Sequence, residues 1–131
     1  MYRIKVDQEK KLIMLEIKGK MEREELDSFD KEINDVLNQF PPKSMALISL
    51  LERMDPLSQE NARLMKNITR ECVLKTERIA VVHKRTVTQM QLKRLEKEVQ
   101  NDGYHGVPIM RFTTRNDALV YIRKREINIS I

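Results

Sequence analysis

The residues best suited to polar chemistry follow two apolar segments of the chain. The tetrapeptide Asp55-Pro56-Leu57-Ser58 follows apolar residues 45–51, and the tripeptide His83-Lys84-Arg85 follows residues 79–82. If both segments are parallel strands, their carboxyl ends meet at one edge of a sheet, where open α/β folds bind ligands. Together with Arg53, this edge offers charged, hydroxyl and imidazole groups to a polar partner or an anion. The sequence therefore predicts a partner-binding role for Asp55, Ser58, His83, Lys84 and Arg85.

Each of these residues also has a purely structural interpretation. Asp55 and Ser58 suit the start of a helix, because their side-chain oxygens accept hydrogen bonds from free backbone N–H groups. Pro56 suits the first helical turn because its φ is already fixed near the helical value. Charged residues at strand ends commonly form a solvated rim, since charged side chains are seldom buried. A phosphate on Ser58 would also be stabilised at a helix start, so both interpretations remain open.

Motifs of the common enzyme classes are absent from the sequence. There is no nucleophile elbow, Walker loop, dinucleotide-binding glycine pattern or paired-acid motif, and only three glycines are present. His83 and His105 are the two histidines, and no close cluster of His, Cys, Asp and Glu accompanies either of them. A metal site needs such a cluster. We therefore predict a protein that is not an enzyme and that uses no metal and no cofactor.

Charge and cysteine content limit the environments and partners of the chain. Its 131 residues suit one domain, and its net charge of +5 is spread along the sequence rather than concentrated in blocks. Such a surface supports nonspecific contact with nucleic acid without a specific site. Cys72 is the only cysteine, so no internal disulfide can form. With no signal peptide or membrane span in the sequence, we expect a cytoplasmic protein.

Hydrophobic periodicity predicts the elements that position these residues. Alternating or continuous apolar patterns predict strands at residues 2–6, 12–17, 45–51, 78–83 and 107–112. Helical spacing predicts helices that begin near Met21, Asp55, Thr86 and Thr114. This order, a hairpin followed by alternating helices and strands, predicts a single-domain α/β fold. Its sheet is mixed and mostly parallel, with four or five strands.

Two further expectations concern the core and the C-terminus. Large apolar residues on the inner faces of these elements should be buried, namely Phe29, Ile33, Leu64, Ile68, Val81 and Ile109. We place the domain at residues 1–125 and a tail at residues 126–131. Isoleucines alternate along this tail, so it is a candidate strand that pairs with a sheet edge or with a second copy in a homodimer.

The element order resembles the STAS fold of bacterial anti-sigma-factor antagonists, and especially the divergent STAS/SEC14-like group. The segments that carry the resemblance are Tyr2-Arg3-Ile4, Leu15-Glu16-Ile17-Lys18-Gly19, Arg78-Ile79-Ala80-Val81-Val82, Arg111-Phe112-Thr113-Thr114 and Ala118-Leu119-Val120-Tyr121-Ile122. Together they span nearly the whole chain. The resemblance implies a STAS-like fold and a bacterial protein-interaction module without chemistry of its own.

One motif of the regulatory family members is altered in this chain. In those members an Asp-Ser-Ser/Thr-Gly motif joins a strand to a helix, and the Ser after the Asp is phosphorylated by a partner kinase. Asp55 matches the motif, but Pro56 occupies the phosphoacceptor position and has no hydroxyl. The resemblance therefore implies an interaction module that lacks the usual switch.

Two other functions stay open at this level. A carrier of a small apolar or lipid-like ligand is suggested by the SEC14 relationship and by methionine-rich, aliphatic helix faces, which an ordinary core explains equally well. Weak binding of nucleic acid rests on the net charge alone.

Overall fold

The computed structural model describes the backbone of residues 1–84, 86–103 and 109–129, and their side chains except those of residue 86 and residues 125–129. The elements follow in the order β1 (Tyr2–Asp7), β2 (Leu12–Gly19), α1 (Arg23–Asn38), β3 (Met45–Met54), α2 (Gln59–Lys75), β4 (Thr76–Val82), α3 (Thr86–Asn101), β5 (Ile109–Phe112) and α4 (Arg115–Ile129). The alternation of strands and helices predicted from periodicity is confirmed.

The strands form one five-stranded sheet in the order β1-β2-β3-β4-β5. Strand β1 is antiparallel to β2, whereas β2, β3, β4 and β5 pair in parallel. The mixed, mostly parallel sheet is therefore confirmed. Because each parallel strand lies beside the preceding one and such crossovers share one hand, helices α1, α2 and α3 cover the same face.

The core has two layers, one on each face of the sheet. The larger layer joins α1, α2 and α3 to alternate residues of the sheet such as Ile13, Leu47 and Val81. Of the predicted core residues, those at 29, 33, 68 and 81 are buried, as expected, whereas those at 64 and 109 pack against this layer and stay partly exposed. The pattern of apolar spacing thus identified the inner faces correctly.

Helix α4 lies on the opposite face of the sheet. Its Ala118 and Ile122 pack with Ile48 and Val82, residues whose side chains alternate with those of the larger layer. The first turn of α4 is anchored by Arg115, which pairs with Glu16 at 2.8 Å and Glu52 at 3.0 Å. Among the described residues, the sheet therefore has three helices on one face and one on the other.

The structure corrects the prediction for the C-terminal tail. Residues 126–129 continue helix α4 instead of forming a strand, while residues 130 and 131 lie outside the described residues. No glycine or proline occurs after Arg115 to stop the helix. Alternation over a few residues was too short a signal to oppose helical continuation. The domain boundary at residue 125 and the homodimer stay predictions.

Candidate functional site

The loop between β3 and α2 is fixed from several sides. Asp55 donates its backbone N–H to the carbonyl of Gly19 at 3.0 Å. Gln91 of α3 holds both backbone groups of Leu57: its Oε1 accepts from the N–H at 2.8 Å and its Nε2 donates to the carbonyl at 2.8 Å. The buried Thr88 hydroxyl donates to the carbonyl of Met54 at 3.1 Å. Residues 55–58 are thus held against α3 while Pro56 and Ser58 remain exposed.

Ser58 is the N-cap of α2, and the helix begins at Gln59. Its Oγ accepts the N–H of Asn61 at 3.1 Å, and the buried Asn61 amide donates to the carbonyl of Met21 at 3.1 Å. The prediction that α2 begins at Asp55 was therefore wrong by four residues. Strand β3 continues to Met54 because that residue still pairs with Gly19 of β2, which delays the start of the helix.

His83 lies directly after β4, and its ring is buried with 3% of the residue exposed. Its backbone N–H donates to the carbonyl of Phe112 at 3.1 Å, which ties it to the end of β5. Burial, together with the positive charges of Arg111 and Lys93, lowers the pKa of its imidazole from 6.5 to about 4. The imidazole is therefore neutral at pH 7 and faces the interior rather than a partner.

The two predicted site segments, at residues 55–58 and 83–85, begin at different distances beyond the last residue pair of β3 and β4. The pairing of β3 with β4 ends at Leu50 and Val82, so His83 follows this pair by one residue and Asp55 follows it by five. Strand β3 thus carries Asp55 beyond the position of His83. Lys84 is exposed, and Arg85 lies outside the described residues, as does His105.

A surface groove between α2 and α3 was not identified from the sequence. It has a volume of about 730 Å³ and is lined by Leu57, Gln59, Ala62, Arg63, Lys66, Asn67, Arg70, Gln91, Arg94, Leu95 and Glu98. Its cations on α2 recur at positions 63, 66 and 70, a helical spacing that places them on one side. That spacing was visible in the sequence, but the facing residues of α3 were not.

Two apolar residues near the start of α3 are unusually exposed. Val87 and Met90 each keep 66% of their surface accessible. Val87 lies four residues before Gln91, and Met90 lies four residues before Arg94, so the helical repeat places the pair in line with two residues that line the groove. The apolar pair therefore extends the groove towards the loop that Gln91 holds.

A second, small and partly open cavity lies between the sheet and the three helices. It measures about 60 Å³, and its lining is mostly apolar, with polar side chains at Ser49, Thr69 and Glu96. Glu96 of α3 forms an ion pair with Arg111 of β5 near this cavity. For comparison, an engineered cavity that binds benzene has a volume of ~150 Å³. The space has room for a few waters and is too small for a lipid chain.

Other chemical features of the described residues are limited. Burial raises the pKa of the Cys72 thiol to about 12, so this cysteine stays protonated and packs as a core residue. No group of three or more His, Cys, Asp or Glu is arranged for a metal ion within the described part of the chain. Among these residues, no helix is long and apolar enough to cross a membrane.

Comparisons with known proteins identify the fold. No family model matches the chain, and a search of curated proteins found no match. Among solved structures, an uncharacterised DUF3478-family protein with a SpoIIAA-like fold from Shewanella loihica PV-4 is similar with a TM-score of 0.67. The identity is 16%, over 93% of this chain and 92% of that chain.

Two regulators share the same architecture. The anti-sigma factor antagonist SpoIIAA in its unphosphorylated form is 12% identical over 94% of this chain and 98% of that chain, with a TM-score of 0.63. An anti-sigma factor antagonist from Mycobacterium paratuberculosis is 17% identical over 94% of this chain and 95% of that chain, with a TM-score of 0.60. At these identities the similarity concerns the fold, and the predicted STAS-like fold is confirmed.

Proposed function

We propose that this chain is a non-enzymatic protein-interaction module that binds a protein partner through the loop at residues 55–58 and the start of α2. The observation that carries the proposal is the fixed, exposed loop. Gln91 holds both backbone groups of Leu57, while Pro56 and Ser58 remain accessible. A preordered surface loop loses little conformational entropy when a partner binds it. The STAS-like fold adds support, since two proteins that share it are anti-sigma factor antagonists.

The proposed partner surface consists of the five residues predicted from the sequence, except that His83 supports the surface instead of contacting the partner. Asp55, Ser58 and Lys84 would contact the partner, and Arg85 belongs to the proposal from its sequence position alone. His83 would support this surface from beneath, because its ring is buried. A neutral, buried imidazole suits a structural role better than direct contact with a charged partner.

In this proposal, partner binding is constitutive. Pro56 cannot accept a phosphate, and the Ser58 hydroxyl already accepts a hydrogen bond from the N–H of Asn61. Loss of the usual phosphoacceptor removes the charge change that would break a complex in a regulated family member. We expect no phosphate on residues 55–58 in the native cell.

The small volume of the cavity between the sheet and the helices argues against the carrier function. A cavity of about 60 Å³ is smaller than the ~150 Å³ that accommodates benzene. A lipid-like ligand would have to separate the helices from the sheet and expose buried core residues such as Ile68. Interaction with a protein requires no such opening.

The test is affinity purification from the native cell with the wild type and matched charge variants. We expect a protein that copurifies reproducibly, binds the purified wild type directly, and binds Asp55→Lys at least about tenfold more weakly. Asp35→Lys, which makes the same charge change at an exposed position of α1, is the control. Copurifying lipid would favour the carrier. Recovery of nucleic acid that is lost at moderate salt would indicate a nonspecific basic surface.

A further inference from the structure

The groove between α2 and α3 has an excess of positive charge. Among the described residues that line it, Arg63, Lys66, Arg70 and Arg94 are cationic and Glu98 is acidic. Asp102 also lies at the groove, because its carboxylate pairs with Lys66 at 2.9 Å and Arg70 at 3.6 Å. Even when Asp102 is included, two positive charges are not balanced.

This excess is concentrated in the half of the groove nearest the loop. Lys66 and Arg70 face Glu98 and Asp102 at the far end of α3. Arg63 forms no ion pair with any other described residue, and Arg94 contacts Glu98 at 3.6 Å while its side chain stays 83% exposed. Arg63 and Arg94 therefore remain accessible to an anionic group that enters the groove.

An exposed apolar pair lies in line with the same half of the groove. Val87 and Met90 are each 66% exposed, and the helical repeat aligns them with Gln91 and Arg94. Exposed methionine is common at binding surfaces because its unbranched chain adapts to different partners. Cations beside an exposed apolar pair suit a segment with acidic side chains and an apolar anchor.

The lining favours a peptide over a nucleic acid. None of the described residues that line the groove is aromatic, so bases would lack the stacking platforms on which single strands depend. The lining residues of α2 run from Gln59 to Arg70, or about 16 Å along the helix. That length fits about five residues of an extended segment.

We propose that this groove binds an acidic segment of the protein partner, with carboxylates on Arg63 and Arg94 and an apolar side chain on Val87 and Met90. The inference rests on the proposed function, since it names the chemistry of the partner and places it beside the loop at residues 55–58. Charge complementarity would steer the partner to the groove, and the apolar pair would prolong its stay.

The test is a titration of the isotope-labelled full chain, followed by NMR. The probe is an acetylated, amidated eight-residue peptide of five glutamates and three leucines. The comparison ligands are the same peptide with lysine in place of glutamate and a single-stranded octathymidylate. We expect amide shifts along the facing sides of α2 and α3 with the acidic peptide alone. No shift, shifts confined to the α4 face, or equal binding of the octathymidylate would overturn the inference.

Charge reversal on two faces provides the matched control. The double variant Arg63→Glu/Arg94→Glu should weaken binding of the acidic peptide by about tenfold or more. Arg123→Glu/Lys124→Glu makes the same change in net charge on exposed positions of α4, across the sheet, and should change the affinity by less than about twofold. Equal losses of peptide affinity in the two double variants would attribute binding to net charge and overturn the inference that the groove is the binding site. Val87→Ser/Met90→Ser should weaken binding several-fold without any change in charge.

The partner identified by affinity purification separates this inference from the proposed function. If the partner binds the Arg63→Glu/Arg94→Glu variant normally but loses affinity for Asp55→Lys, the groove inference fails and the proposed function stands. If the acidic peptide binds the groove while no protein partner is recovered, the preference of the groove for an acidic segment stands and the proposed function fails.

Discussion

Gln91→Met is the most direct test of how the loop at residues 55–58 is held. The glutamine amide makes two hydrogen bonds of 2.8 Å to the backbone of Leu57, and a methionine of similar length removes both. Glutamine and methionine have similar helix propensities, so α3 itself should be unaffected. The change therefore isolates the contact between α3 and the loop.

The expected cost follows from these two bonds. A neutral hydrogen bond contributes about 0.5–1.5 kcal/mol net, so the loss of both predicts destabilisation of about 1–3 kcal/mol. Both bonds are partly buried, and water can satisfy part of the backbone of Leu57 after the change. We therefore expect a value in the lower half of that range.

Two measurements check this prediction. Urea denaturation gives the change in the free energy of unfolding, and native-state hydrogen exchange gives the local opening of the Leu57 amide. A local loss of about 1.4 kcal/mol would accelerate exchange of this amide about tenfold. Gln89→Met on the same helix is the control, because no hydrogen bond of its side chain is found among the described residues.

The reasoning would be refuted by a specific combination of results. Suppose that Gln91→Met cost less than about 0.5 kcal/mol, the level of an ordinary surface change, and that exchange at Leu57 matched the control. The two hydrogen bonds from Gln91 to Leu57 would then contribute nothing measurable to stability. Accelerated exchange with normal partner binding would instead show that the partner does not need a preordered loop.

Four further predictions concern the core, the cap, a buried histidine and the tail. Ile68→Ala should cost about 2–5 kcal/mol in chemical denaturation, against less than about 0.5 for the exposed Leu74→Ala. Ser58→Asp keeps an N-cap acceptor and adds a favourable charge, so stability should be unchanged or higher by about 0.3–1 kcal/mol. Phosphopeptide mapping of the native protein should find no phosphate on Ser58. Loss of partner binding by the folded variant would indicate a displaced phosphoswitch. The pKa of His83 is lowered from 6.5 to about 4, so the unfolded state takes up its proton first, and stability should fall by on the order of 3 kcal/mol as the pH drops from 6.5 to 4. His83→Gln should flatten this part of the pH profile, and identical slopes would contradict burial of the ring. Deletion of residues 126–131 should change stability or oligomeric mass, and no change by denaturation and light scattering would show that the segment has no structural role.

Most of the architecture could be predicted from sequence because it depends on local periodicity. The alternation in Tyr2–Asp7, the helical spacing in Arg23–Asn38 and the continuous apolar run in β4 each reflect one element and the face it buries. The order of these elements then limits the connections to a mostly parallel sheet with right-handed crossovers. The STAS-like fold followed from that order without knowledge of any contact.

The details of the site depend on contacts between distant residues. From the sequence, both Asp55 and Ser58 are candidate N-caps of α2. Because Met54 pairs with Gly19 of the neighbouring strand, β3 extends to Met54, the helix begins later, and Ser58 is the N-cap. The contact between Gln91 and Leu57 crosses 34 positions of the chain, so no local pattern contained it.

The same reason separates what the sequence and the tertiary structure determine about the remaining residues. Positions 83 and 84 are adjacent and both polar, yet the imidazole is buried behind the end of β5 while Lys84 is exposed. The cations of α2 were visible as a helical stripe, but the groove exists only because α3 packs beside it. Periodicity identifies which side of an element is buried, whereas register and packing decide which side chains meet.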